Sequence, residues 1–409
     1  MIKSLLTEAK SACRTFQLVG CQTKIKALYA IRDALLAHKD VIIVANQKDL
    51  CAAKENGMKE SMIDRLLLDE KRIEEIADGV VMVAGLKDPI GDVIRDIHRP
   101  NGLLIQQVRI PIGTVGVVYE ARPNVTVDIA AICIKTNNVC ILKGGKEAFY
   151  TNQALTKIMQ EAIQDILPVN PIYMIEEMDH AVVTELISDR QHVDVVIPRG
   201  GKGLIQHVVQ NAKVPVIETG AGLCHLYVDC DAKIDMALEI AKNAKLQRPS
   251  VCNAIETILV HQEVAEEFLR KLAPVFENVK IYGDQESLKY IHGEFATETN
   301  YGTEYDDYIC NIKVVKDVNE AIEHIYTYST KHSECIVTED KDKATYFMNA
   351  LDSACVYHNA STRFTDGGQF GFGAEVGIST QKLHARGPLG LQEMTSTKYK
   401  IYGDGQIRK

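Results

Sequence analysis

The sequence predicts an α/β fold with two domains of alternating strands and helices in tandem. Three observations predict it: an alternating series of strand-like and helical segments begins at Gly113, a second series follows Cys252, and the two are preceded by about 90 residues of helical periodicity. At 409 residues the chain is too long for a single hydrophobic core. We therefore expect a doubly wound, Rossmann-like first domain and a second α/β domain.

The segment before Gly113 combines helices with one hairpin. Lys24–His38 and Met62–Val83 place apolar residues on one helical stripe. Val93–His98 and Leu103–Pro111 flank the turn sequence Pro100-Asn101-Gly102, which indicates a β-hairpin. This hairpin is either part of a subunit interface or a simple surface ribbon.

The first alternating series predicts a parallel sheet. Its expected strands are Val115–Tyr119, Val139–Leu142, Pro171–Ile175, Val193–Ile197 and Val214–Ile217. Its expected helices are Val127–Lys135, Ala148–Ile166, Ala181–Ile187 and Leu204–Ala212.

The second series also alternates strand-like and helical segments. Its expected strands are Ile255–Val260, Val279–Tyr282, Ile309–Val315, Cys335–Val337 and Ala354–His358, and a last strand is expected at Lys398–Tyr402. Its expected helices are Glu263–Phe276, Val318–Tyr328 and Lys341–Leu351.

Composition and charge disfavour several functional classes. A net charge of −9 disfavours non-specific nucleic-acid binding. No apolar run approaches the roughly 18 residues that span a bilayer, and the N-terminus lacks the pattern of a signal or transit peptide, so we expect a cytoplasmic protein. The 11 cysteines include no C-x-x-C pair, so no metal site is predicted.

Two loops at expected strand ends carry features of a dinucleotide site. The second strand ends in Lys143-Gly144-Gly145-Lys146, where basic side chains suit the 2′-phosphate of NADP(H); the alternative is a turn with solvated lysines. The fourth ends in Arg199-Gly200-Gly201, whose glycines let backbone amides approach a phosphate at a helix N-terminus; the alternative is a helix-capping loop.

Cys252 differs from the other cysteines, most of which lie in apolar runs. It stands in the polar segment Gln247–Asn253, beside Arg248, where the two alternating series meet. A thiol in such a setting is a candidate nucleophile for acyl transfer. The alternative is an ordinary loop cysteine.

Four long motifs resemble the γ-glutamyl phosphate reductase family of the aldehyde dehydrogenase superfamily. They are Val118–Thr126 (VYEARPNVT), Val216–Gly222 (VIETGAG), Asn359–Gly368 (NASTRFTDGG) and Leu383–Pro388 (LHARGP). The resemblance implies an aldehyde dehydrogenase-like fold with a cofactor-binding domain (residues 1–98 and 113–226, with part of 372–385), a catalytic domain (227–371) and an oligomerisation element (99–112 and 386–409).

The resemblance also implies roles for single residues. Cys252 matches the nucleophile, Asn124 the oxyanion-binding amide and Lys143 the lysine near the adenosine ribose. Glu218, 34 positions before Cys252, matches the acid that activates water in hydrolytic relatives. Glu304 resembles the glutamate that holds the nicotinamide ribose.

The implied reaction is the NADPH-dependent reduction of glutamate 5-phosphate to the semialdehyde on the route to proline; the alternative is a hydrolytic NAD(P)-dependent aldehyde dehydrogenase. Arginines in loop-like segments are expected to bind the phosphate and carboxylate of the substrate: Arg122, Arg363, Arg248 and Arg386. We expect a homo-oligomer, with the kinase that makes the unstable acyl phosphate, glutamate 5-kinase, as a further possible partner.

Overall fold

The computed structural model describes residues 2–179 and 181–408, with all their side chains except those of Ser61 and Lys202. The helices are α1 (Lys3–Phe16), α2 (Cys21–Ala37), α3 (Lys39–Glu55), α4 (Glu60–Leu66), α5 (Glu70–Gly85), α6 (Asn124–Lys135), α7 (Phe149–Ile163), α8 (Ala181–Ser188), α9 (Lys202–Asn211), α10 (Ile234–Leu246), α11 (Ala265–Val275), α12 (Glu298–Tyr301), α13 (Val318–Tyr328) and α14 (Lys341–Ala350). Short 3₁₀ turns cover Lys146–Ala148, Ser287–Lys289 and Thr362–Phe364.

The strands, numbered in the same way, are β1 (Val93–His98), β2 (Leu104–Pro111), β3 (Thr114–Tyr119), β4 (Val139–Gly144), β5 (Ile172–Met174), β6 (Val195–Arg199), β7 (Cys224–Val228), β8 (Ile255–His261), β9 (Lys280–Gly283), β10 (Glu294–Phe295), β11 (Ile309–Val315), β12 (Ser333–Val337), β13 (Cys355–His358), β14 (Ile378–Ser379), β15 (Gly387–Pro388) and β16 (Thr395–Tyr402).

The described chain divides into two units. Unit 1 comprises residues 1–219, 371–377 and 389–409, and unit 2 comprises 220–370 and 378–388. The sequence-based division at residues 226 and 227 would cut β7, which pairs with β8 and β12 inside the sheet of unit 2. The structural division therefore falls earlier, after Thr219.

Unit 1 contains a parallel four-stranded sheet with the order β5-β4-β3-β6. Every residue of β3 and β4 is buried, and α6 is buried along most of its length, as is usual for a helix that is apolar on all sides. The sheet grows outward from β3 to β4 and β5 and then returns to the other side of β3 with β6. This reversal is a topological switch point, where ligands of doubly wound sheets bind.

A separate antiparallel sheet of unit 1 has the order β1-β2-β16. The predicted hairpin is thus confirmed, and the C-terminal strand pairs with it from Thr395 opposite Pro111 to Tyr402 opposite Leu104. The strand begins three residues before the predicted Lys398.

Unit 2 contains a parallel seven-stranded sheet with the order β10-β9-β11-β8-β7-β12-β13. A core of apolar side chains from β7, β8, α10 and α11 covers one face, including Leu226, Ile258 and Phe268. On the other face, Tyr227 and Phe347 stack within a second cluster that includes α13 and α14 residues.

Two sequence-based expectations were wrong in detail, and two further elements were not expected. Val214–Ile217 contributes only a single parallel bridge, between Val216 and Val196. The expected helix Met62–Val83 is interrupted at residues 67–69, because Asp69 caps a new helix by accepting the amide of Arg72. β7 and α10 were not predicted at all. Among the described residues, no helix is both long and apolar enough to cross a membrane.

Candidate active site

Cys252 lies in the short loop between α10 and β8. The loop closes on itself through the amide of Ala254, which donates to the carbonyl of Val251 at 2.9 Å. Cys252 is half-buried, whereas its neighbour Asn253 is buried. Cys252 is thus partly exposed while the next residue is enclosed in the protein.

Asn253 anchors this loop to the segment Ser361–Thr365. Its amide donates to the carbonyl of Thr365 at 2.9 Å, and its own carbonyl accepts from the Thr362 hydroxyl at 2.7 Å. Leaving a buried amide or carbonyl without a hydrogen-bond partner costs free energy. These bonds therefore hold the backbone next to Cys252 in one conformation.

Arg363 contributes to the same anchor. Its Nη1 donates to the side-chain oxygen of Asn253, and its Nε donates to Gln247 Oε1 at 3.0 Å. Burial, followed by the neighbouring charge of Arg248, lowers the pKa of Arg363. Two guanidinium groups so close in space form an electropositive region beside Cys252, which suits an anionic substrate.

Gly222 fixes the other side of the Cys252 backbone. A Cβ atom on Gly222 would lie 1.5 Å from the Cys252 carbonyl oxygen, so only glycine fits there. The amide of Gly222 donates to Glu304 Oε1 at 2.7 Å. The structure therefore gives Glu304, the residue expected at the nicotinamide ribose, a contact with the segment that packs on Cys252.

The other cysteines differ in exposure. The buried ones are Cys133, Cys140, Cys224, Cys310, Cys335 and Cys355. Cys224 donates its S–H to the Cys252 carbonyl at 3.2 Å, and burial raises its pKa well above the usual value, so it remains a neutral thiol. Cys51 is exposed, and Cys13, Cys21 and Cys230 are half-buried, so exposure alone does not distinguish Cys252.

The switch point of unit 1 lies between the ends of β3 and β6. There the amide of Glu120 donates to the carbonyl of Arg199 at 3.0 Å, and the Glu120 carboxylate accepts the amide of Gly201 at 2.8 Å. Gly201 immediately precedes α9, so its amide belongs to a helix N-terminus suited to phosphate. A bound phosphate would compete with Glu120 for this amide.

Several features of this edge fit a dinucleotide phosphate. The Nε of Arg199 is buried and has no hydrogen-bond partner among the described residues, and Gly200 packs so closely that a Cβ atom would lie 2.5 Å from a Glu120 oxygen. An unpaired buried donor and a close backbone approach are both expected where an anionic ligand binds.

Lys143 and Lys146 follow the neighbouring strand, β4. Lys143 is buried and donates to the carbonyl of Gly144 at 2.9 Å, and burial lowers its pKa despite the carboxylates of Glu147 and Glu177. Lys146 is exposed. The two lysines of the predicted NADP(H) signal therefore have different environments, one inside the strand end and one at the surface.

Asn124 is the first residue of α6. Its amide donates to Asp128 Oδ2 at 2.9 Å, one helical turn later. Desolvation raises the pKa of Asp128 to about 6, although the Asn124 amide and the charge of Arg199 oppose the shift. The preceding turn is strained at Ala121, whose φ of 29° is held by an amide hydrogen bond to Glu147 Oε1 at 2.8 Å.

The remaining predicted site residues lie in different settings. Arg386 is paired with Asp352, to whose Oδ1 and backbone carbonyl it donates at 2.7 Å each. Arg122 and Glu218 are half-buried in unit 1, and Arg248 is exposed in unit 2. Asp128, Gly222 and Asn253 were not among the predicted site residues. Gly222 ends the motif Val216–Gly222 and Asn253 ends the polar segment beside Cys252, so both could have been chosen, whereas no sequence pattern marks Asp128.

Comparisons with known proteins agree with this architecture. The family model described as "Aldehyde dehydrogenase family" matches residues 1–303. A γ-glutamyl phosphate reductase of Clostridium novyi is 52% identical over 404 residues, covering 98% of this chain and 97% of the relative. The chain belongs to the γ-glutamyl phosphate reductases of the aldehyde dehydrogenase family.

Other γ-glutamyl phosphate reductases give the same result. That of Heliobacterium modesticaldum is 51% identical over 98% of this chain and 97% of its own. The crystal structure of the Thermotoga maritima γ-glutamyl phosphate reductase matches with a TM-score of 0.96 at 44% identity, covering 99% of each chain. The predicted α/β, aldehyde dehydrogenase-like fold and the resemblance are confirmed, and the chain is an oxidoreductase of a family that uses nicotinamide cofactors.

Proposed function

We propose that the chain reduces glutamate 5-phosphate to glutamate 5-semialdehyde and phosphate with NADPH, through a thioester on Cys252, on the route to L-proline. The observation that carries the chemistry is the fixed Cys252 loop, held by Asn253 and Gly222 beside two arginines. Membership of the γ-glutamyl phosphate reductases carries the substrate.

In the first step the thiolate of Cys252 attacks the acyl carbonyl carbon. The C–O bond to phosphate breaks, phosphate leaves with the electron pair, and a thioester remains. A thiolate suits this step because sulfur is strongly nucleophilic and acyl phosphates have a good leaving group.

The developing oxyanion needs hydrogen-bond donors. We propose that the Cys252 backbone amide and the Asn124 side-chain amide supply them, each worth about 3 kcal/mol in comparable sites. Asn124 donates one of its amide hydrogens to Asp128, so the carboxylate fixes the plane of the amide. Arg363, Arg248 and Arg122 are the proposed partners of the substrate's phosphate and carboxylate; Arg386 is the weakest of the four because Asp352 already pairs with it.

NADPH, when bound, supplies the hydride that reduces the thioester carbonyl. Residues proposed to hold the cofactor are Lys143, Gly144, Lys146, Arg199, Gly200, Gly201 and Glu304. The preference for NADPH over NADH is proposed from the exposed Lys146, which is free to move toward a 2′-phosphate. The Cys252 thiol is restored when the aldehyde is released.

The reductase needs no attacking water, so we assign Glu218 no catalytic step in this direction. A hydrolytic aldehyde dehydrogenase would use the same thiol but would release a free acid. The reverse assay distinguishes the two: semialdehyde, NADP and phosphate are supplied and each is omitted in turn. We expect NADPH formation to require phosphate, whereas formation that is independent of phosphate would contradict the proposal.

The antiparallel sheet β1-β2-β16 is the proposed oligomerisation element. Its exposed apolar residues include Val93, Ile94, Tyr399 and Ile401, which would be costly to leave in water on a monomer. We expect a homo-oligomer by light scattering, and Ile401→Asp is expected to shift it towards the monomer. A cytoplasmic location and an association with the kinase that makes the substrate remain parts of the same proposal.

A further inference from the structure

A second group of reactive side chains lies in unit 2, at the opposite end of β8 from Cys252. Cys230 follows the end of β7, His261 is the last residue of β8, and Glu263 comes two residues later. Their potential ligand atoms all lie within 4.8 Å of one another. Because β7 and β8 are paired and parallel, with Val228 opposite Val260, their carboxyl ends bring these residues together.

Each of the three side chains is suitable as a ligand. Cys230 is half-buried, and a thiolate is a common zinc ligand. His261 is 6% exposed, and its Nδ1 lies 3.2 Å from the backbone amide of Glu263, which donates to it. This nitrogen accepts the amide with its lone pair, so a metal ion bound there would replace that hydrogen bond. Glu263 is exposed, and one of its carboxylate oxygens already lies within 4.8 Å of the other two ligand atoms.

The charges around Cys230 favour a divalent cation. The carboxylates of Asp229 and Asp231 flank it, and Glu263 adds a third negative charge. Lys343 is the cation that now faces them: its Nζ lies 3.2 Å from Asp229, 2.6 Å from Asp231 and 3.0 Å from the Cys230 sulfur. One ammonium group thus meets two carboxylates and a thiol, and Glu263 has no such cationic partner among the contacts of Lys343.

We propose that Cys230, His261 and Glu263 bind one Zn²⁺ ion. A thiolate, an imidazole and a carboxylate are the ligand types that zinc takes, with water as the fourth ligand of a tetrahedral site, whereas calcium and magnesium prefer oxygen alone. On binding, the Cys230 S–H bond breaks, its proton passes to solvent and a Zn–S bond forms. The Lys343 ammonium moves away from the sulfur.

The ion at this site is structural. The six residue steps from Ile255 to His261 span about 20 Å at roughly 3.3 Å a step, and Cys252 lies beyond the far end of this strand. Zinc there cannot touch a substrate on Cys252. It instead links the ends of two central strands of the seven-stranded sheet, and the expected effect is on stability.

Co²⁺ titration of the full-length chain tests the proposal, because a cobalt–thiolate bond gives a near-ultraviolet charge-transfer band and a tetrahedral site gives strong visible bands. The background variant is Cys252→Ser, which removes the proposed nucleophile as a competing ligand. We expect one equivalent to bind with both signals, with release of one proton, and Zn²⁺ to displace it.

Variants then locate the ion. Cys230→Ser should abolish the charge-transfer band and the proton release. His261→Gln should weaken Co²⁺ binding by about 100-fold or more, because losing even a residue that only supports a ligand costs about 10- to 100-fold in metal affinity. Cys51→Ser is the matched control, because Cys51 is an exposed cysteine of unit 1 and lies outside the proposed site. It should leave the affinity for Co²⁺ unchanged. Lys343→Met removes the competing cation and should tighten binding.

Two results would overturn the site. One is a charge-transfer band that survives Cys230→Ser, and the other is weaker Co²⁺ binding in Lys343→Met. Reductase activity of Cys230→Ser in the chain that keeps Cys252, measured without added metal, should equal that of the unmodified chain and shows that the substitution allows folding.

Discussion

The backbone of Gly222 lies against the Cys252 carbonyl, leaving no room for a side chain: a Cβ atom would be 1.5 Å from the oxygen and 2.7 Å from the Cys252 Cα. The same glycine donates its amide to Glu304 at 2.7 Å. The position of the Cys252 backbone therefore depends on two segments remote in sequence, one supplying the close contact and the other its anchor.

Gly222→Ala should displace the Cys252 loop. Since a shift of about 1 Å at a reacting group can cost roughly 100-fold in rate, we expect kcat to fall by about that factor. Steady-state kinetics and the rate of Cys252 alkylation by iodoacetamide both measure the change. Gly79→Ala is the control: this helical glycine has nothing within 4 Å, and the substitution should stabilise the fold by about 0.5–1 kcal/mol. Unchanged kcat and alkylation in Gly222→Ala would contradict the account.

Arg363→Ala should raise the KM for the acyl phosphate by about tenfold or more, because a charge-assisted hydrogen bond to an anion is worth roughly 1.5–3 kcal/mol. Arg363→Lys should not restore KM, since only a guanidinium can reach both Gln247 and Asn253. Arg270→Ala, which removes an exposed partner of Glu266, is the control. Equal KM values for all the variants would exclude Arg363 from the anion site.

Arg386→Ala should lower stability and leave KM near its original value. The Arg386 guanidinium, with Lys382 and Lys331, holds the pKa of the Asp352 carboxyl well below its usual range. A depressed carboxyl pKa stabilises the fold above the unfolded value and loses that contribution as the pH falls through the folded one. The difference in unfolding free energy between the two proteins should thus shrink on acidification below about pH 4. A large rise in KM at unchanged stability would contradict this prediction and indicate that Arg386 binds the substrate.

Asp128→Asn should remove a pH dependence of stability. The pKa of Asp128 is raised to about 6, so the folded state binds a proton more tightly than the unfolded state. The free energy of unfolding therefore falls as the pH rises from about 4 to 6, by at most about 3 kcal/mol. Denaturant unfolding across this range should show that fall in the unmodified chain and not in Asp128→Asn. Parallel curves for the two proteins would contradict it.

Local sequence signals predicted much of the fold. β11 and α13 were predicted to the residue, because a β-branched strand is followed by Asp317, which caps the helix by accepting the amides of Asn319 and Glu320. β7 was missed because His225 interrupts its apolar pattern. That histidine is buried and pairs at 3.0 Å with Glu334, which is 109 residues away, so the sequence near His225 gives no sign of the partner.

The candidate site divides in the same way. Cys252 and the glycine turns could be chosen from loop position and residue type, and long motifs supplied the family. The contacts that fix the Cys252 backbone could not be predicted, since Glu304 is 82 residues from Gly222 and Thr365 is 112 from Asn253. Their pairing depends on strand order, which the sequence pattern leaves open.

The most direct test of the central claim is to locate the acyl group during turnover. The enzyme is mixed with glutamate 5-phosphate without NADPH, quenched in acid within one turnover, digested and analysed by mass spectrometry. We expect a glutamyl thioester on the Cys252 peptide, absent from Cys252→Ser, which should retain less than about a hundredth of the NADPH oxidation rate. An acyl group on another residue, or a Cys252→Ser variant that oxidises NADPH at a comparable rate, would contradict the thioester mechanism.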